Sequence, residues 1–313
     1  MKKVSIIIPV YNEEENLRPL MNVIKAMSLA SADNFDFEVV FIDDGSSDSS
    51  LNVLKELFEN NDNVRVVSIT KNSGSHIACH AGLEYATGDY FAVIAADMQD
   101  PPSIIPEMIK MMKDGVKIVW GVRRSREDLL SVKLFSKIYY ILMKRYVFDN
   151  IPEKGADTFL IDMDARNLIL KLDEKDTSIF GLLLWSGYSQ VFYEYDKKKR
   201  ERGKSKWTFG KKFKLFIDSF VSFSYLPVRL ISVMGIFTSF VAVLIAVHTL
   251  WDWYTTRNAP RGYPTMMLVI LTLSSIQFLI LGVLGEYLWR AFEHIKGRPL
   301  YIVKEKFLKD KNS

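Results

Sequence analysis

Two hydrophobic periods alternate through the first 125 residues. Short runs rich in β-branched and aromatic residues, Val4 to Ile8, Phe37 to Ile42, Val64 to Ile69, Tyr90 to Ala95 and Lys117 to Val122, have strand length and composition. Between them Glu14 to Met27, Ser49 to Asn60, Ser75 to Ala86 and Ser103 to Lys113 carry apolar residues at helical spacing. Strands separated by single helices predict an α/β, Rossmann-like, mostly parallel sheet with crossover helices, and such sheets bind ligands beyond the carboxyl ends of their strands.

After Leu226 the pattern changes. Ile231 to Trp251 is an apolar stretch of about 21 residues with His248 as its one ionisable group, enough to cross ~30 Å of hydrocarbon as a helix. Pro264 to Gly285 is similar and uncharged, with Tyr287 and Trp289 beyond it as interfacial anchors. The connection from Asp252 to Tyr263 holds only Arg257 and Arg261 as basic residues, whereas Arg229, Arg290, Lys296, Arg298, Lys304, Lys306 and Lys309 lie outside the pair. The positive-inside rule then expects a hairpin with both ends in the cytoplasm.

Two further segments have amphipathic helical patterns. Phe209, Phe213, Phe216, Phe220 and Phe223 recur within Thr208 to Ser224, and Lys133, Lys137 and Lys144 share one face of Leu129 to Phe148. Each reads as an interfacial helix lying on a membrane, with a core helix of the soluble part as the alternative. The expected organisation is a cytosolic domain over 1–225 that includes both segments, a two-helix transmembrane hairpin over 226–290, and a basic cytoplasmic tail over 291–313.

Composition narrows the class. Of 313 residues, 49% are hydrophobic and 25% charged, which excludes a disordered chain. The net charge of +4 is small and its basic residues cluster around the apolar segments, favouring anionic lipid headgroups over nucleic acid. The single Cys79 excludes an intramolecular disulfide framework and reads as a small buried hydrophobe. The apolar run Val4 to Ile8 is too short for a secretory core, so no cleaved signal is expected.

The expected strand ends carry the polar chemistry. They read Pro9-Val10-Tyr11-Asn12-Glu13-Glu14, Asp43-Asp44-Gly45-Ser46-Ser47-Asp48, Lys71-Asn72-Ser73-Gly74, Asp97-Met98-Gln99-Asp100-Pro101-Pro102 and Arg123-Arg124-Ser125-Arg126. Carboxylates suit ribose hydroxyls or a divalent cation, and arginine forks suit diphosphate, so the crevice fits a phosphorylated, hydroxyl-rich ligand. Neither G-x-x-x-x-G-K nor G-x-G-x-x-G occurs, which argues against a P-loop ATPase and an ordinary nicotinamide enzyme. Asp48 reads as a helix cap rather than a ligand. His76 and His80 stand at i, i+4, but no third metal ligand accompanies them.

These motifs, with Gly203-Lys204-Ser205-Lys206-Trp207 and Gly282-Val283-Leu284-Gly285-Glu286-Tyr287, resemble the family 2 glycosyltransferases of polyprenyl phosphate over nearly the whole chain. Within that group the chain is most similar to the bactoprenol glucosyltransferases of O-antigen modification. The aminoarabinose-transferring enzymes come next, and the dolichol-phosphate mannose synthases are also related. The resemblance implies a GT-A catalytic fold and transfer of a sugar, glucose from UDP-glucose first, to undecaprenyl or another polyprenyl phosphate with inversion at the anomeric carbon. UDP-GlcNAc, a UDP-aminoarabinose derivative and GDP-mannose are the alternative donors. It further implies Mg2+ or Mn2+, a bacterial inner membrane location with a cytoplasmic catalytic domain, and a homo-oligomer, specifically a tetramer.

By position, Pro9, Tyr11, Glu13, Ile42, Asp44, Ala96 and Asp97 match nucleotide-binding residues, and Asp97 and Gln99 match metal-associated ones. Arg123 and Arg126, with Arg200, Ser205 and Lys206, fall where relatives contact the diphosphate or the acceptor phosphate. Gly155-Ala156-Asp157-Thr158-Phe159-Leu160 resembles the stretch carrying the catalytic Asp, here Asp157, with Asp97 as the second catalytic candidate. One departure stands out. Relatives have D-x-D where this chain reads Ala95-Ala96-Asp97, so either Asp97, Gln99 and the donor's own oxygens suffice, or the chain is an inactivated variant. A non-catalytic membrane scaffold is the reading from a different class, and Ala95 is its only support.

Overall fold

The computed structural model describes residues 1–124, 141, 143–145, 147–148, 151–152, 155–172, 174, 178–197, 226–256 and 262–309. The five expected strands are all present: β1 (Lys2–Val10), β2 (Phe35–Asp43), β3 (Val64–Ile69), β4 (Tyr90–Val93) and β5 (Ile118–Arg123). So are the four expected helices, α1 (Glu14–Ala30), α2 (Ser50–Glu59), α3 (Ser75–Tyr85) and α4 (Ile104–Lys110). The chain continues through β6 (Ala156–Asp162), α5 (Met163–Lys171), α6 (Ile179–Trp185) and β7 (Gln190–Tyr195). It ends with the long helices α7 (Leu226–Thr256) and α8 (Tyr263–Ile295) and a last strand, β8 (Val303–Phe307).

The sheet has the order β7-β5-β6-β4-β1-β2-β3-β8. Strands β3, β2, β1 and β4 are mutually parallel, as is the β5–β7 pair, while β6 and β8 run against their neighbours. From β1 the chain builds outward through β2 and β3, then crosses back to place β4 on the other side of β1. That reversal opens a crevice at the carboxyl ends of β1 and β4, the standard ligand position in open α/β sheets.

Side-chain alternation divides two cores. Val4, Ile6, Ile8 and Val10 face one layer with Phe37, Val39 and Phe41, covered by α1, α2 and α4 through Leu17, Leu20, Ile24, Leu54, Ile105 and Met108. The opposite face meets α3, whose Ala78, Cys79, Ala81 and Gly82 are small and buried, so the helix can press close to the strands. A Cβ at Gly82 would lie 2.2 Å from Ile7 Cγ2. Farther along that face Trp120 stacks on Phe180 at 5.7 Å, and Phe159 meets both rings edge-on.

The C-terminal residues revise the expected tail. Val303–Phe307 pairs antiparallel with β3 and belongs to the unit Met1–Ser219 with Pro299–Ser313, not to a free basic extension. The pattern Val-Lys-Glu-Lys-Phe explains the strand: Val303, Glu305 and Phe307 are half-buried while Lys304 and Lys306 point outward, a charged edge that discourages further pairing.

The second unit, Phe220–Arg298, contains α7 and α8, which touch each other. At ~1.5 Å per residue both exceed the thickness of a bilayer core. Among the described residues Thr272–Ile295 is long and apolar enough to cross a membrane, and Gly235–Ile245 is a shorter apolar stretch. The expected interfacial segment 208–224 lies outside the described residues, as do 14 of the 20 residues of 129–148.

Gly82→Ala is expected to lower the melting temperature of the detergent-solubilised chain by several degrees, because overpacking of this kind costs about 1–3 kcal/mol. Differential scanning fluorimetry reads the shift, and an unchanged melting point would mean that α3 can retreat from the sheet.

Candidate active site

Four loops meet where the strand order reverses. Asn12, just past β1, adopts a left-handed backbone with φ of 51°, which asparagine tolerates better than most residues. Its N–H donates to Ser46 Oγ at 3.0 Å and its Oδ1 accepts from the Ser47 N–H at 2.8 Å. Glu13 N–H donates to Ser50 Oγ at 2.9 Å, so the loop after β1 is stitched to the loop after β2 at successive residues. Tyr11 and Glu13 are partly exposed there, with the Glu13 carboxylate accepting from Asn16 Nδ2 at 2.6 Å. Asp48 Oδ1 accepts from the Ser50 N–H at 3.0 Å, but the N-cap of α2 is Ser49, so Asp48 stands one residue ahead of the cap position expected for it.

The paired acids at the end of β2 make different contacts, Asp43 closing the strand and Asp44 following it. Asp43 is buried and accepts from Ser68 Oγ at 2.7 Å and the Ser46 N–H at 3.1 Å. Asp44, only 3% exposed, accepts from the Ser73 N–H at 2.7 Å and the Gly74 N–H at 2.9 Å, binding the loop after β3 to the end of β2. Gly45 then turns with φ of +66°, and a Cβ there would sit 2.7 Å from the Lys71 carbonyl carbon. Burial raises the Asp44 carboxyl to about 6, with Asp43 adding to the rise and the two backbone donors opposing it. This acid therefore titrates near neutrality at the wall of the crevice.

Across β1, Asp97 follows β4, is partly exposed, and accepts from the Gln99 N–H at 3.1 Å. Asp100 is fully buried and accepts from Tyr195 Oη at 2.5 Å, with Lys197 Nζ at 3.3 Å. Arg123, the last residue of β5, is partly exposed and paired in register with Tyr195. Because β6 runs opposite to β4, the beginning of β6 lies at the same end of the sheet. Its register with β5 passes from Gly121↔Thr158 to Val122↔Ala156, so Asp157 is the extra residue of a β-bulge. Bulges recur beside active sites, where they redirect the strand.

Pro9, Tyr11, Glu13, Asp44, Asp97, Gln99 and Arg123, together with the backbone of Asp157, thus stand at one end of the sheet. Ile42 and Ala96 lie beneath it: Ile42 is fully buried, with its Cγ1 3.3 Å from a Cβ placed on Gly82, and Ala96 packs in the core under α4. Arg126, Arg200, Ser205 and Lys206 lie outside the described residues.

Residues 5–169 match the profile described as glycosyl transferase family 2. The chain belongs to that family. A prophage bactoprenol glucosyl transferase homolog of Escherichia coli K12 is 32% identical over 304 residues, covering 96% of this chain and 98% of that protein. The bactoprenol glucosyl transferase of Shigella phage SfII is 32% identical over 97% of this chain and 98% of its own length. Among solved structures, mannosyl-3-phosphoglycerate synthase from Rubrobacter xylanophilus superposes with a TM-score of 0.51 at 15% identity, covering 75% of each chain, a likeness of fold. This chain is accordingly a glycosyltransferase with a GT-A-like domain.

A divalent cation, implied by the resemblance to this family, meets a sparse donor set. Among the described residues no three His, Cys, Asp or Glu side chains gather into a cation site. Magnesium commonly takes one or two carboxylates plus substrate phosphates and water, so Asp97 fits as one protein ligand with the donor's diphosphate supplying others. Gln99, the other residue expected at the metal, donates its N–H to the Asp97 carboxylate.

Three features of this family 2 site escape motif reading. Asn12 bridges two loops, Asp43 anchors the third strand, and Asp100 ties β4's exit to the end of β7. Each stands inside a polar motif of the sequence, but their partners lie 25 to 95 residues away.

Asp44 generates a pH signature. Its folded value of about 6 exceeds the ordinary 3.8, so the folded chain holds more protons between those values and loses stability as pH rises through them. Relative to Asp44→Asn, the parent is expected to lose on the order of 2 kcal/mol between pH 4 and pH 6.5. Urea titrations of both proteins at several pH values test this; parallel curves would mean that the carboxyl is well solvated.

Proposed function

We propose that this glycosyltransferase moves a hexose from a nucleotide diphosphate sugar, with UDP-glucose the favoured donor, to undecaprenyl or another polyprenyl phosphate, inverting the anomeric carbon. The observation that carries this reading is the near end-to-end similarity to bactoprenol glucosyl transferases, which extends past the catalytic domain through α7 and α8. A water-soluble acceptor needs no such apolar helices. A lipid phosphate does, because the reaction must take place at headgroup height.

In this reading α7 and α8 form a hairpin in a bacterial plasma membrane, the catalytic domain is cytoplasmic, and the segments 129–148 and 208–224 rest on the interface. The protein works as a homo-oligomer, with the tetramer of the family resemblance as the expected state. Tyr11, Glu13 and Asp44 border the nucleoside, and Arg123, Arg126, Arg200, Ser205 and Lys206 receive the diphosphate and the acceptor phosphate.

The chemistry asks for little proton transfer. A phosphate monoester has a second pKa near ~6, so its attacking oxygen is already anionic at neutral pH. Asp157 then serves to orient the acceptor and to stabilise positive charge growing at the anomeric carbon. The difficult part is departure of the nucleoside diphosphate, where Arg123 neutralises developing charge. A cation held through Asp97 would supply further neutralisation of the same oxygens.

Incubation with radiolabelled UDP-glucose, magnesium and undecaprenyl phosphate is expected to yield a butanol-extractable labelled lipid. Absence of product with UDP-glucose and appearance with another sugar nucleotide would replace the donor; absence with every donor would overturn the reaction. Asp97→Ala is expected to reduce turnover by at least ~100-fold without lowering the melting temperature. Ala95→Asp, which adds the second carboxylate, is expected to lower the magnesium concentration giving half-maximal rate. Topology is checked by a cysteine at Asn258 in a Cys79→Ser background, which an impermeant maleimide should modify in intact cells; labelling only after lysis would invert the hairpin.

A further inference from the structure

The C-terminal strand grips the part of the sheet from which one wall of the crevice emerges. β8 pairs with β3 from Val66↔Phe307 to Ile69↔Val303, and one residue farther the Thr70 N–H donates to the Ile302 carbonyl at 2.9 Å. Thr70 opens the loop whose Ser73 and Gly74 N–H groups hold Asp44 and whose Lys71 backbone lies against Gly45. The strand is fastened on several sides. Tyr301 Oη donates to Glu84 of α3, Lys55 of α2 pairs with Glu305 at 2.7 Å, and Lys309 pairs with Asp62 at 3.0 Å. Phe307 packs on Phe58 with ring centroids 5.8 Å apart.

We propose that Tyr301–Lys309 is a positioning element of the donor site: it sets the path of residues 70–74 and, through Asp44 and Gly45, the shape of the nucleoside wall. This rests on the reading of the β1–β4 strand ends as the donor pocket. Paired surface charges at this edge add little stability by themselves. Their effect is geometric, because a loop that holds its binding arrangement only about a tenth of the time binds about tenfold more weakly.

The test uses the full chain in detergent, a chain ending at Arg298, and a Tyr301→Phe/Glu305→Gln/Lys309→Ala variant that keeps the question open to measurement should the truncated chain fail to fold. Amide exchange over 70–74 is followed by mass spectrometry, UDP binding by calorimetry, and turnover at saturating donor. The expected result is faster exchange over 70–74, UDP binding weaker by about tenfold on truncation and less in the triple variant, and saturated turnover within about twofold of the parent. A peptide of residues 299–313 added to the truncated chain should restore UDP affinity by strand addition. Unchanged exchange over 70–74 overturns the hold of the strand on the loop. Faster exchange with unchanged UDP affinity overturns the positioning role of the strand, whereas absence of UDP binding to the full chain would overturn the donor-pocket reading itself. Equal loss of turnover and melting temperature, without rescue by the peptide, would reduce β8 to general support of the fold.

Discussion

Strand β1 has a parallel neighbour on each side, and a chain leaving its carboxyl end cannot cover both. α1 carries the chain toward β2, and the later return to β4 leaves the other side open. Everything at the site follows from that unfilled wedge. Loops from β1, β2, β3 and β4 can approach one another there without a helix between them. Polar groups that would be unaffordable under a helix can therefore keep partners and water.

Closing the loops around the wedge has an electrostatic cost that falls mainly on Asp44. Its carboxylate loses water and stands next to Asp43, and two backbone N–H groups only partly compensate. A neutral residue would relieve that cost but could not accept from Ser73 and Gly74 together and still carry charge. At the opposite end of the strands Glu38 is almost as buried, yet Lys3, Ser5 and Thr87 donate to it and hold its carboxyl below the usual range despite desolvation. Glu38 lies within β2 and Asp44 just past its end, at the same depth. Full pairing marks the structural one, and incomplete compensation marks the one at the crevice.

The legibility of this chain in sequence follows the range of the interactions. β1 to β5 and α1 to α4 were readable because each declares itself by local period, and the polar strand ends could be placed because sheet topology fixes which end faces ligand. β6 and β7 are not legible as strands in the sequence, since the rule of one helix per strand fails where β6 turns antiparallel. The bulge at Asp157 depends on β5 some 35 residues earlier and has no local mark. Ile42 and Ala96 match binding positions by motif, but both side chains are buried in the core, Ile42 from within β2 and Ala96 from the turn after β4. β8 resembles a basic tail in sequence because two lysines in five residues mask an alternation that only a partner strand completes.

The order of synthesis gives β8 another consequence. β3 leaves the ribosome early, while the strand that covers its outer edge is made only after both long apolar helices. At translation speeds of ~5–20 residues per second, that edge waits on the order of ten seconds or more for its partner. During this interval the nascent domain exposes unpaired backbone groups, the usual template for mispairing between chains. If α7 and α8 enter the bilayer as they emerge, the last strand is delivered by a chain already anchored, and the sheet closes only on molecules that have reached the membrane.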